Sequence, residues 1–397
     1  MRYLPAVALL IIALVPVVPA QAAPVGDYYL QSVKTGDNLS QVGSGVELHH
    51  PKGNEDNQQW KLRDGRLENA TTGSCLNKSL QMVACASDTW TFNQVGDQWE
   101  IPGLTLDTRW YLTPVSGGTA SFPADPRLDE ATFLVAHNAF ANGVDGGFAP
   151  PFLNLAKNQT RGIVQQLGDG VRGFMLDIHQ TPDGAILCHN SCTWVSKPVA
   201  LWVDLQRIVD FLRANPSEIV TVFLEDYVSS SVLGAELARV NGLSSLLFRP
   251  DQSGVRENGW PTLSQLRASG KRLLIFTDHA RDGRDSYGVM YGHDWTVENY
   301  WSMGGGLGTS DWSCYTRWSD RPLTATDRFQ PLFVMNHFRD TPFTSTATTD
   351  NSKLADRAQR FCQPAARKKP TYLAVDHYNL GNAASAVTQL NTYTYRP

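Results

Sequence analysis

The sequence predicts an α/β protein: a barrel of the TIM type preceded by a small all-β domain. In residues 130–397, short apolar strands alternate with helical patterns, and a TIM barrel usually takes about 250 residues. Residues 26–115 instead hold Gly, Asn, Asp and Thr in short alternating pieces without a helical period, which is typical of small β-structure. A doubly wound sheet is the alternative for residues 130–397, but no Gly-rich phosphate-binding fingerprint follows the first strand there.

Each expected strand of the barrel is a short apolar run that ends in polar residues. The strands are Thr132–His137, Gly173–Ile178, Ala185–His189, Ile219–Leu224, Arg272–Thr277, Leu332–Asn336 and Tyr372–Asp376. The clearest helix runs from Leu201 to Arg213, where apolar residues recur every three or four positions. It ends before Pro216, because proline disfavours helix in the residue that precedes it. Further helices are expected at Arg161–Leu167, Leu263–Ala268, Lys353–Phe361 and Ala383–Leu390.

The first residues are typical of an export signal. Arg2 precedes an apolar run that ends at Ala20 and is interrupted by prolines. The run is short for a membrane span, which needs about 20 residues. Ala20-Gln21-Ala22 then offers a small-x-small cleavage site. We therefore expect residues 1–22 to be a signal peptide cleaved near Ala22 and the protein to be secreted; a retained anchor is the alternative.

Charge and cysteine content restrict the partners and the compartment. The formal net charge of -4 is too small to indicate nucleic acid as a partner. The six cysteines, an even number in an exported protein, favour disulfides: Cys75, Cys85, Cys188, Cys192, Cys314 and Cys362. Proximity suggests Cys75–Cys85 and Cys188–Cys192, which leaves Cys314–Cys362. Fifteen connectivities are open to six cysteines. Zinc is less favoured, because the sequence has no CxxC pair.

The segment at residues 26–115 shows a weak internal repeat. Gln58-x-Trp60, followed by Gly73-Ser74-Cys75-Leu76, resembles the pattern of ricin-B-type β-trefoil lectins. The resemblance implies a trefoil-like module with a glycan as partner. A β-module with buried tryptophans and no sugar site is the alternative. Residues 116–129 are rich in proline and small residues, which indicates a linker or an extended entry segment before the barrel at 130–397.

Polar residues collect where the expected barrel strands end. His137 and Asn138 follow the first strand, Asp177 and Glu225 lie in apolar runs, and His189 ends another strand. A barrel gathers these strand ends at one mouth. Two histidines there can take a proton from one oxygen and give a proton to another. Buried carboxylates are costly unless they are paired or bind a cation, so the two acids predict either a Ca²⁺ site with the Asn138 amide or ion pairs with an arginine such as Arg172.

The motifs resemble one enzyme family in order and spacing. The motifs are Leu134-Val135-Ala136-His137-Asn138, Gly170 to Ile178, Leu187-Cys188-His189, Ile219 to Tyr227 and Leu373 to Tyr378. Together they resemble the X-region of phosphatidylinositol-specific phospholipases C, over about residues 130 to 395. The resemblance implies a distorted TIM barrel. It also implies cleavage of a phospholipid headgroup at a membrane surface, through a cyclic phosphate.

The resemblance also implies roles for individual residues. His137 would be the general base on the inositol 2-hydroxyl, His189 the general acid on the leaving oxygen, and Asp376 an acid that orients a histidine. Asn138, Asp177 and Glu225 match positions of Ca²⁺ ligands. Four residues within or next to the motifs are candidates for substrate binding: Arg172, His179, Asp226 and Tyr378.

Two departures from the family pattern keep the substrate open. Calcium-dependent members carry another acid where this chain has Met175, and basic residues that hold inositol are replaced by Thr277-Asp278-His279. A phosphodiesterase for a glycerophosphodiester or sphingolipid headgroup, and a catalytically inactive glycan-binding protein, are therefore alternatives. Aromatic residues suited to a lipid interface, to sugars or to packing follow this strand: Trp295, Tyr300, Trp301, Trp312 and Trp318.

Overall fold

A computed structural model of the chain describes residues 23–52, 55–86, 88–145, 157–189, 192, 198–279 and 282–397. The expected signal peptide at 1–22 lies outside the described residues. Among the described residues, no helix combines the length and the apolar character that crossing a bilayer requires.

The N-terminal part is an antiparallel β-module. Its strands are β1 (Gly26–Ser32), β2 (Asn38–Val42), β3 (Gly45–His49), β4 (Gln59–Arg63), β5 (Arg66–Asn69), β6 (Cys75–Leu76), β7 (Met82–Val83), β8 (Asn93–Val95), β9 (Gln98–Glu100) and β10 (Trp110–Pro114). Their order is β7-β6-β5-β4-β1-β10-β9-β8, with β2 and β3 attached to β1. Trp60, Trp90 and Trp110 are buried in the core, and each indole N–H donates to a backbone carbonyl. The rings therefore serve packing and are not presented to a sugar.

Between this module and the next sheet, the chain runs through β11 (Gly118–Ser121), which lies in the expected linker at 116–129. This strand pairs antiparallel with β21 (Tyr393–Arg396), near the end of the chain. The expected linker is thus an extended segment tied to the second half of the molecule.

The second part is a curled, mostly parallel sheet. Its strands are β12 (Phe133–Ala136), β13 (Gly173–Thr181), β14 (Gly184–Leu187), β15 (Val220–Tyr227), β16 (Leu273–Thr277), β17 (Met290–Tyr291), β18 (Thr296–Glu298), β19 (Leu332–His337) and β20 (Tyr372–Val375). The order is β17-β16-β15-β13-β12-β20-β19-β18, with every neighbour on this path parallel. Among the described residues, β17 and β18 do not pair with each other, so the TIM-type barrel is left open there.

One expected barrel strand is instead the second arm of a hairpin. β14 pairs antiparallel with β13 and lies off the parallel path. The reason is the turn Thr181-Pro182-Asp183-Gly184, in which Gly184 adopts a φ of 129°, because Pro, Asp and Gly favour a tight reversal. His189 therefore follows a hairpin strand and not a parallel strand of the barrel.

Helices cover the outer face of this sheet. They are α1 (Ile163–Gly168), α2 (Leu201–Ala214), α3 (Ser230–Ala238), α4 (Leu243–Leu246), α5 (Val255–Asn258), α6 (Leu263–Ser269), α7 (Thr344–Asn351), α8 (Leu354–Arg357), α9 (Gln363–Ala366) and α10 (Ala383–Leu390), with a π-helical turn at Ala358–Cys362 between α8 and α9. The outer core joins Phe174, Leu176 and Val222 of the sheet to Leu205 and Ile208 of α2. The inner core fills the barrel with the residues of opposite orientation on the same strands.

All three expected disulfides are present. Cys75–Cys85 closes a loop of the β-module, Cys188–Cys192 brackets the loop that begins at His189, and Cys314–Cys362 joins a loop to the π-helical turn. Their Cα–Cα distances are 4.8, 5.4 and 5.1 Å, within the range that a disulfide spans.

Candidate active site

Side chains alternate between the two faces of a strand, and this alternation places a set of polar residues inside the barrel mouth. Residues that fill the barrel are followed two positions later by a polar residue of the same orientation. The pairs are Val135 and His137, Met175 and Asp177, Phe223 and Glu225, Phe276 and Asp278, Val334 and Asn336, and Ala374 and Asp376. Since all these strands run parallel, their carboxyl ends meet at one face.

His137 is held by Asp376 and Asn158. His137 Nδ1 lies 2.8 Å from Asp376 Oδ1, and the Asn158 amide donates to the same oxygen at 2.8 Å. An ionised carboxylate can only accept, so Nδ1 carries the proton and Nε2 of His137 is left as the basic nitrogen. Phe338 stacks on the imidazole with centroids 3.6 Å apart and an interplanar angle of 6°. The histidine is thus fixed in tautomer and in orientation.

The backbone around this pair is fixed as well. The Gln159 amide donates to the carbonyls of His137 at 2.8 Å and of Val375 at 3.0 Å, which ties the ends of β12 and β20 together. Asn138 and His377, the residues after the two strands, adopt φ values of 42° and 44°. These left-handed turns bend the chain sharply away from the sheet after each functional residue.

His189 reaches the same mouth from the hairpin. The Cys188 N–H donates to the Asp177 carbonyl at 3.2 Å, which fixes the start of the loop, and the disulfide to Cys192 closes it. The residue is solvent-exposed, yet partial desolvation and then the charge of His137 lower the pKa of His189. The two histidines are therefore close enough to interact electrostatically. Residues 190, 191 and 193–197 lie outside the described part of the chain.

Three carboxylates form an acidic wall beside the histidines. Asp177 and Glu225 are register partners on β13 and β15. Burial first, and then the charges of Glu225 and Asp278, raise the pKa of Asp177 well above its ordinary value. Burial in the mouth, and then the negative charge of Glu225, raise the pKa of Asp278 to about 6. Mutual repulsion of this kind makes a bound cation favourable. Asp278 was not among the expected site residues, although its position two residues after Phe276 could have identified it.

A cation from a neighbouring loop faces these acids. Arg317 Nη1 donates to Glu298 Oε1 at 2.8 Å, and Asn336 Nδ2 donates to the same oxygen at 2.6 Å. Desolvation opposes the charge on Arg317, but the charges of Glu298, Glu225 and Asp278 outweigh it and raise the pKa of this guanidinium. No motif in the sequence identifies Arg317, because its approach depends on the loop between β18 and β19.

The sequence profile described as PI-PLC X 1 matches residues 129–391. The chain belongs to the PI-PLC X-domain family. The resemblance seen in the sequence motifs is thereby confirmed.

The relatives of this chain include a plant and a fungal protein. A PI-PLC X domain-containing protein of Arabidopsis thaliana is 32% identical over 257 residues, which cover 63% of this chain and 58% of that protein. An uncharacterized secreted protein of Arthroderma benhamiae is 27% identical over 291 residues, which cover 66% of this chain and 61% of that protein. The chain thus spans about three fifths of the length of these relatives.

Solved structures of bacterial enzymes are more distant. The phosphatidylinositol-specific phospholipase C of Staphylococcus aureus is 13% identical with a TM-score of 0.45, covering 68% of this chain and 95% of that one. The enzyme of Listeria monocytogenes is 15% identical with a TM-score of 0.42, covering 68% and 95%.

Within the X-domain, His179 and Tyr227 lie at the edge of the acidic wall. Their rings stack with centroids 4.5 Å apart, and the Tyr227 hydroxyl donates to Glu225. His179 was expected to bind substrate, and the structure brings it to the mouth. In the described part of the chain, one group of three His, Cys, Asp or Glu residues has its potential ligand atoms within 4.8 Å of one another. These residues are His179, Cys188 and Cys192. The two cysteines form a disulfide, so this group is not free to bind a metal.

Three expected substrate-binding residues do not reach the X-domain mouth. Arg172 precedes β13 at the opposite end of the barrel, where its guanidinium lies 2.7 Å from Glu218. The Tyr378 hydroxyl donates to Asp169 at 2.5 Å on the outer side of the sheet. Arg172 and Tyr378 were expected to bind substrate, but these contacts give both residues structural roles.

Asp226 is the third corrected assignment. Because it follows Glu225 directly on β15, its side chain points to the outer face. There it accepts from the buried Arg284 Nε at 2.6 Å. This ion pair ties the loop after β16 to the end of β15.

The aromatic residues near the mouth divide into two groups. Trp295 is buried in the inner core and Trp312 is half-buried against His337. Tyr300, Trp301 and Trp318 are exposed by 37–39% and follow β18 at the mouth. The adjoining Gly304-Gly305-Gly306 segment is tied down in part, because Arg339 donates to the Gly306 carbonyl at 3.1 Å.

Proposed function

We propose that this chain is an exported phosphodiesterase that removes the headgroup of a phospholipid of the phosphatidylinositol type by two-histidine acid–base catalysis. The observation that carries the proposal is the His137–Asp376 pair at 2.8 Å in a mouth where His137 also interacts with His189. Membership in the X-domain family supports phosphodiester chemistry. The three disulfides and a relative described as secreted support export.

In this mechanism His137 is the general base. Its Nδ1 proton is engaged by Asp376, so Nε2 takes the proton of the inositol 2-hydroxyl. That oxygen attacks phosphorus within the same molecule, which avoids the entropic cost of bringing two molecules together. As His137 becomes positively charged, Asp376 stabilises it directly across the 2.8 Å contact. The inositol oxygen then forms the second ester bond of a cyclic phosphate.

His189 is the general acid that completes the step. The bond between phosphorus and the diacylglycerol oxygen breaks, and His189 gives that oxygen its proton. The lowered pKa of His189 makes its protonated form a stronger acid, which favours this transfer. Water can open the cyclic phosphate afterwards with the two roles exchanged.

The donor types beside the histidines suit Ca²⁺. Asn138, Asp177 and Glu225 offer an amide oxygen and two carboxylates, and Asp278 adds a third carboxylate to the acidic wall. Among the described residues, the oxygens of these three acids do not all lie within 4.8 Å of one another, so binding the ion would draw the side chains together. Hard cations take oxygen ligands of this kind. When bound, the ion would offset negative charge on the phosphoryl oxygens. Arg317 supplies a positive charge to the same region from the protein itself.

The rim of the mouth suits a lipid surface. The exposed large apolar residues there are Tyr227 at the end of β15 and Tyr300, Trp301 and Leu307 after β18. Tyrosine and tryptophan favour the interface between headgroups and hydrocarbon. An aromatic rim on this face would hold the mouth against the membrane that contains the substrate.

A different headgroup is the second candidate. Asp278, the residue after β16, belongs to the acidic wall. Inositol-specific members carry basic residues at this strand end instead. A glycerophosphodiester or sphingolipid headgroup is therefore retained as an alternative. The inactive glycan-binding alternative loses support, because Trp60 of the Gln-x-Trp motif is fully buried.

Product analysis tests the proposal. Phosphatidylinositol vesicles are incubated with the enzyme in Ca²⁺ and in chelator, and phosphorus NMR follows the products beside a panel of other phospholipids. We expect an inositol cyclic phosphate first, its loss in His137→Ala, and strong suppression by chelator that Ca²⁺ reverses. Turnover of other lipids alone would select the second candidate, and no turnover of any phosphodiester would refute the enzyme assignment.

A further inference from the structure

A second polar cavity lies on the face of the barrel opposite the mouth. It has a volume of about 170 Å³. Its walls come from segments that precede the parallel strands, represented by Glu130 before β12, Gln330 before β19 and Lys369 before β20. Asp97 of the β-module and Thr394 of β21 complete the wall. Both halves of the chain thus contribute to it, and no catalytic residue does.

Positive charge exceeds negative charge around this cavity. The basic residues are Arg127, Arg367, Lys368, Lys369 and Arg396, and the acidic residues are Asp97, Asp129 and Glu130. Each acid already faces an arginine: Arg127 reaches Asp129 at 2.7 Å, while Arg367 to Asp97 and Arg396 to Glu130 are both 4.0 Å. The lysines remain without a carboxylate within 4.0 Å among the described residues.

The two lysines are almost fully buried. Lys368 Nζ donates to the Ala325 carbonyl at 2.8 Å, and Lys369 Nζ donates to the carbonyls of Leu390 and Tyr393 at 2.8 and 3.0 Å. Burial lowers the pKa of Lys368 to about 7 and that of Lys369 to about 8. A buried ammonium without a counter-ion is unfavourable, so a negative ligand in the cavity would stabilise both.

The same cavity is lined by residues with unused hydrogen-bonding atoms. Thr394 Oγ1 and Tyr395 OH are buried and have no hydrogen-bond partner among the described residues. Buried hydroxyl groups are nearly always paired. The two residues are neighbours on β21, so their side chains leave opposite faces of the strand, and we assign only the Tyr395 hydroxyl to the ligand. Asp129 Oδ1 is also unpaired among the described residues, but an ionised carboxylate only accepts and therefore adds nothing to anion binding. A hydroxyl donor beside ammonium groups that lack a carboxylate partner can hold a small oxyanion.

We propose that this cavity binds a small oxyanion of the phosphate type, either inorganic phosphate or a phosphate monoester, remote from the catalytic mouth. The anion would offset the charge of Lys368 and Lys369 and accept from the Tyr395 hydroxyl. Because Asp97 and Thr113 of the β-module already contact Arg367, the bound anion would also strengthen the joint between the β-module and the barrel.

Thermal denaturation of the full chain tests the proposal, with inorganic phosphate as the probe and chloride at equal ionic strength as the reference. We expect a saturable rise in Tm that chloride does not produce. Tyr395→Phe should leave the Tm in chloride unchanged, because its hydroxyl has no partner, and should weaken the apparent phosphate affinity at least fivefold. Lys368→Met should weaken it further. Tyr393→Phe is the matched control, since its hydroxyl accepts from Gln363, and it should bind phosphate normally.

Phosphate binding at the catalytic mouth is distinguished by His189→Ala. That variant should keep the full phosphate response if the anion binds in the remote cavity. A response lost in His189→Ala and kept in Tyr395→Phe would overturn the proposal. So would the absence of a saturable response in the wild type, whatever the catalytic activity. Lys368→Met is informative only if it folds, and Tyr395→Phe decides the matter without it. Repeating the titration with glycerol phosphate separates a monoester from inorganic phosphate as the preferred ligand.

Discussion

The most direct perturbation of the proposed base is Asp376→Asn. Asp376 Oδ1 takes the hydrogen bonds of both His137 and Asn158, each at 2.8 Å, whereas Oδ2 is buried without a partner in the described part of the chain. An asparagine that keeps its carbonyl in the Oδ1 position preserves both bonds and the tautomer of His137. What it removes is the negative charge that faces the imidazolium formed during catalysis.

The magnitude follows from the strength of that contact. A hydrogen bond between charged groups contributes about 1.5–3 kcal/mol, and 1.36 kcal/mol corresponds to about tenfold in rate. We therefore expect kcat to fall by about 10- to 150-fold. KM should change much less, because the lost interaction strengthens only as His137 gains its proton.

The assay is steady-state cleavage of phosphatidylinositol vesicles, with Tm as the check on folding. Asp356→Asn is the matched control, because Asp356 lies on the surface, where it pairs with Arg360 at 3.1 Å; it should retain wild-type kcat. If Asp376→Asn folds and its kcat stays within about twofold of the wild type, the assignment of His137 as a base supported by Asp376 is refuted.

Three further predictions concern neighbouring groups. Asn158→Ala removes one donor to Asp376 and should lower kcat by about fivefold, for a hydrogen bond of about 1 kcal/mol; a kcat equal to that of the wild type would exclude a positioning role. Arg284→Met leaves buried Asp226 unpaired and should lower the free energy of unfolding by about 3–5 kcal/mol in urea denaturation, whereas a drop below 1 kcal/mol would contradict the buried ion pair. Because the pKa of His189 lies below its ordinary 6.5, kcat/KM should decline as pH rises through a value below 6.5, and a decline centred above 6.5 would argue against His189 as the acid.

The order of apolar and polar residues made the inner face of the barrel predictable. His137, Asp177, Glu225 and Asp376 each follow apolar residues in or at the end of a strand, and the structure gathers them at one mouth. Their common phase along the strands is what brings them together. Asp278 shares that phase and could have been included from the sequence alone.

The errors of prediction have physical causes in the same periodicity. Asp226 was paired with Glu225 as a site residue, but neighbouring residues on a strand point to opposite faces. Tyr378 lies two residues after Asp376, yet the left-handed turn at His377 breaks the alternation between them. Arg172 begins its strand and therefore lies at the far end of the barrel.

Other features depend on contacts between distant segments. Asn158 follows no recognisable motif, and its role is visible only when its amide meets Asp376 from 218 residues away in sequence. Arg317 reaches the acids through a loop whose path the sequence does not specify. Such residues become predictable only from the folded structure, because no local periodicity positions them.

The two histidines have distinct roles in the proposed reaction, and the dependence of the rate on the leaving group separates these roles. Rates of His137→Ala and His189→Ala are compared on phosphatidylinositol and on an inositol phosphodiester whose leaving group is p-nitrophenol, which departs without a proton. We expect His189→Ala to lose most of its activity on phosphatidylinositol and to recover much of it on the nitrophenyl ester, while His137→Ala should be impaired equally on both. Equal impairment of His189→Ala on both substrates would contradict its role as the general acid.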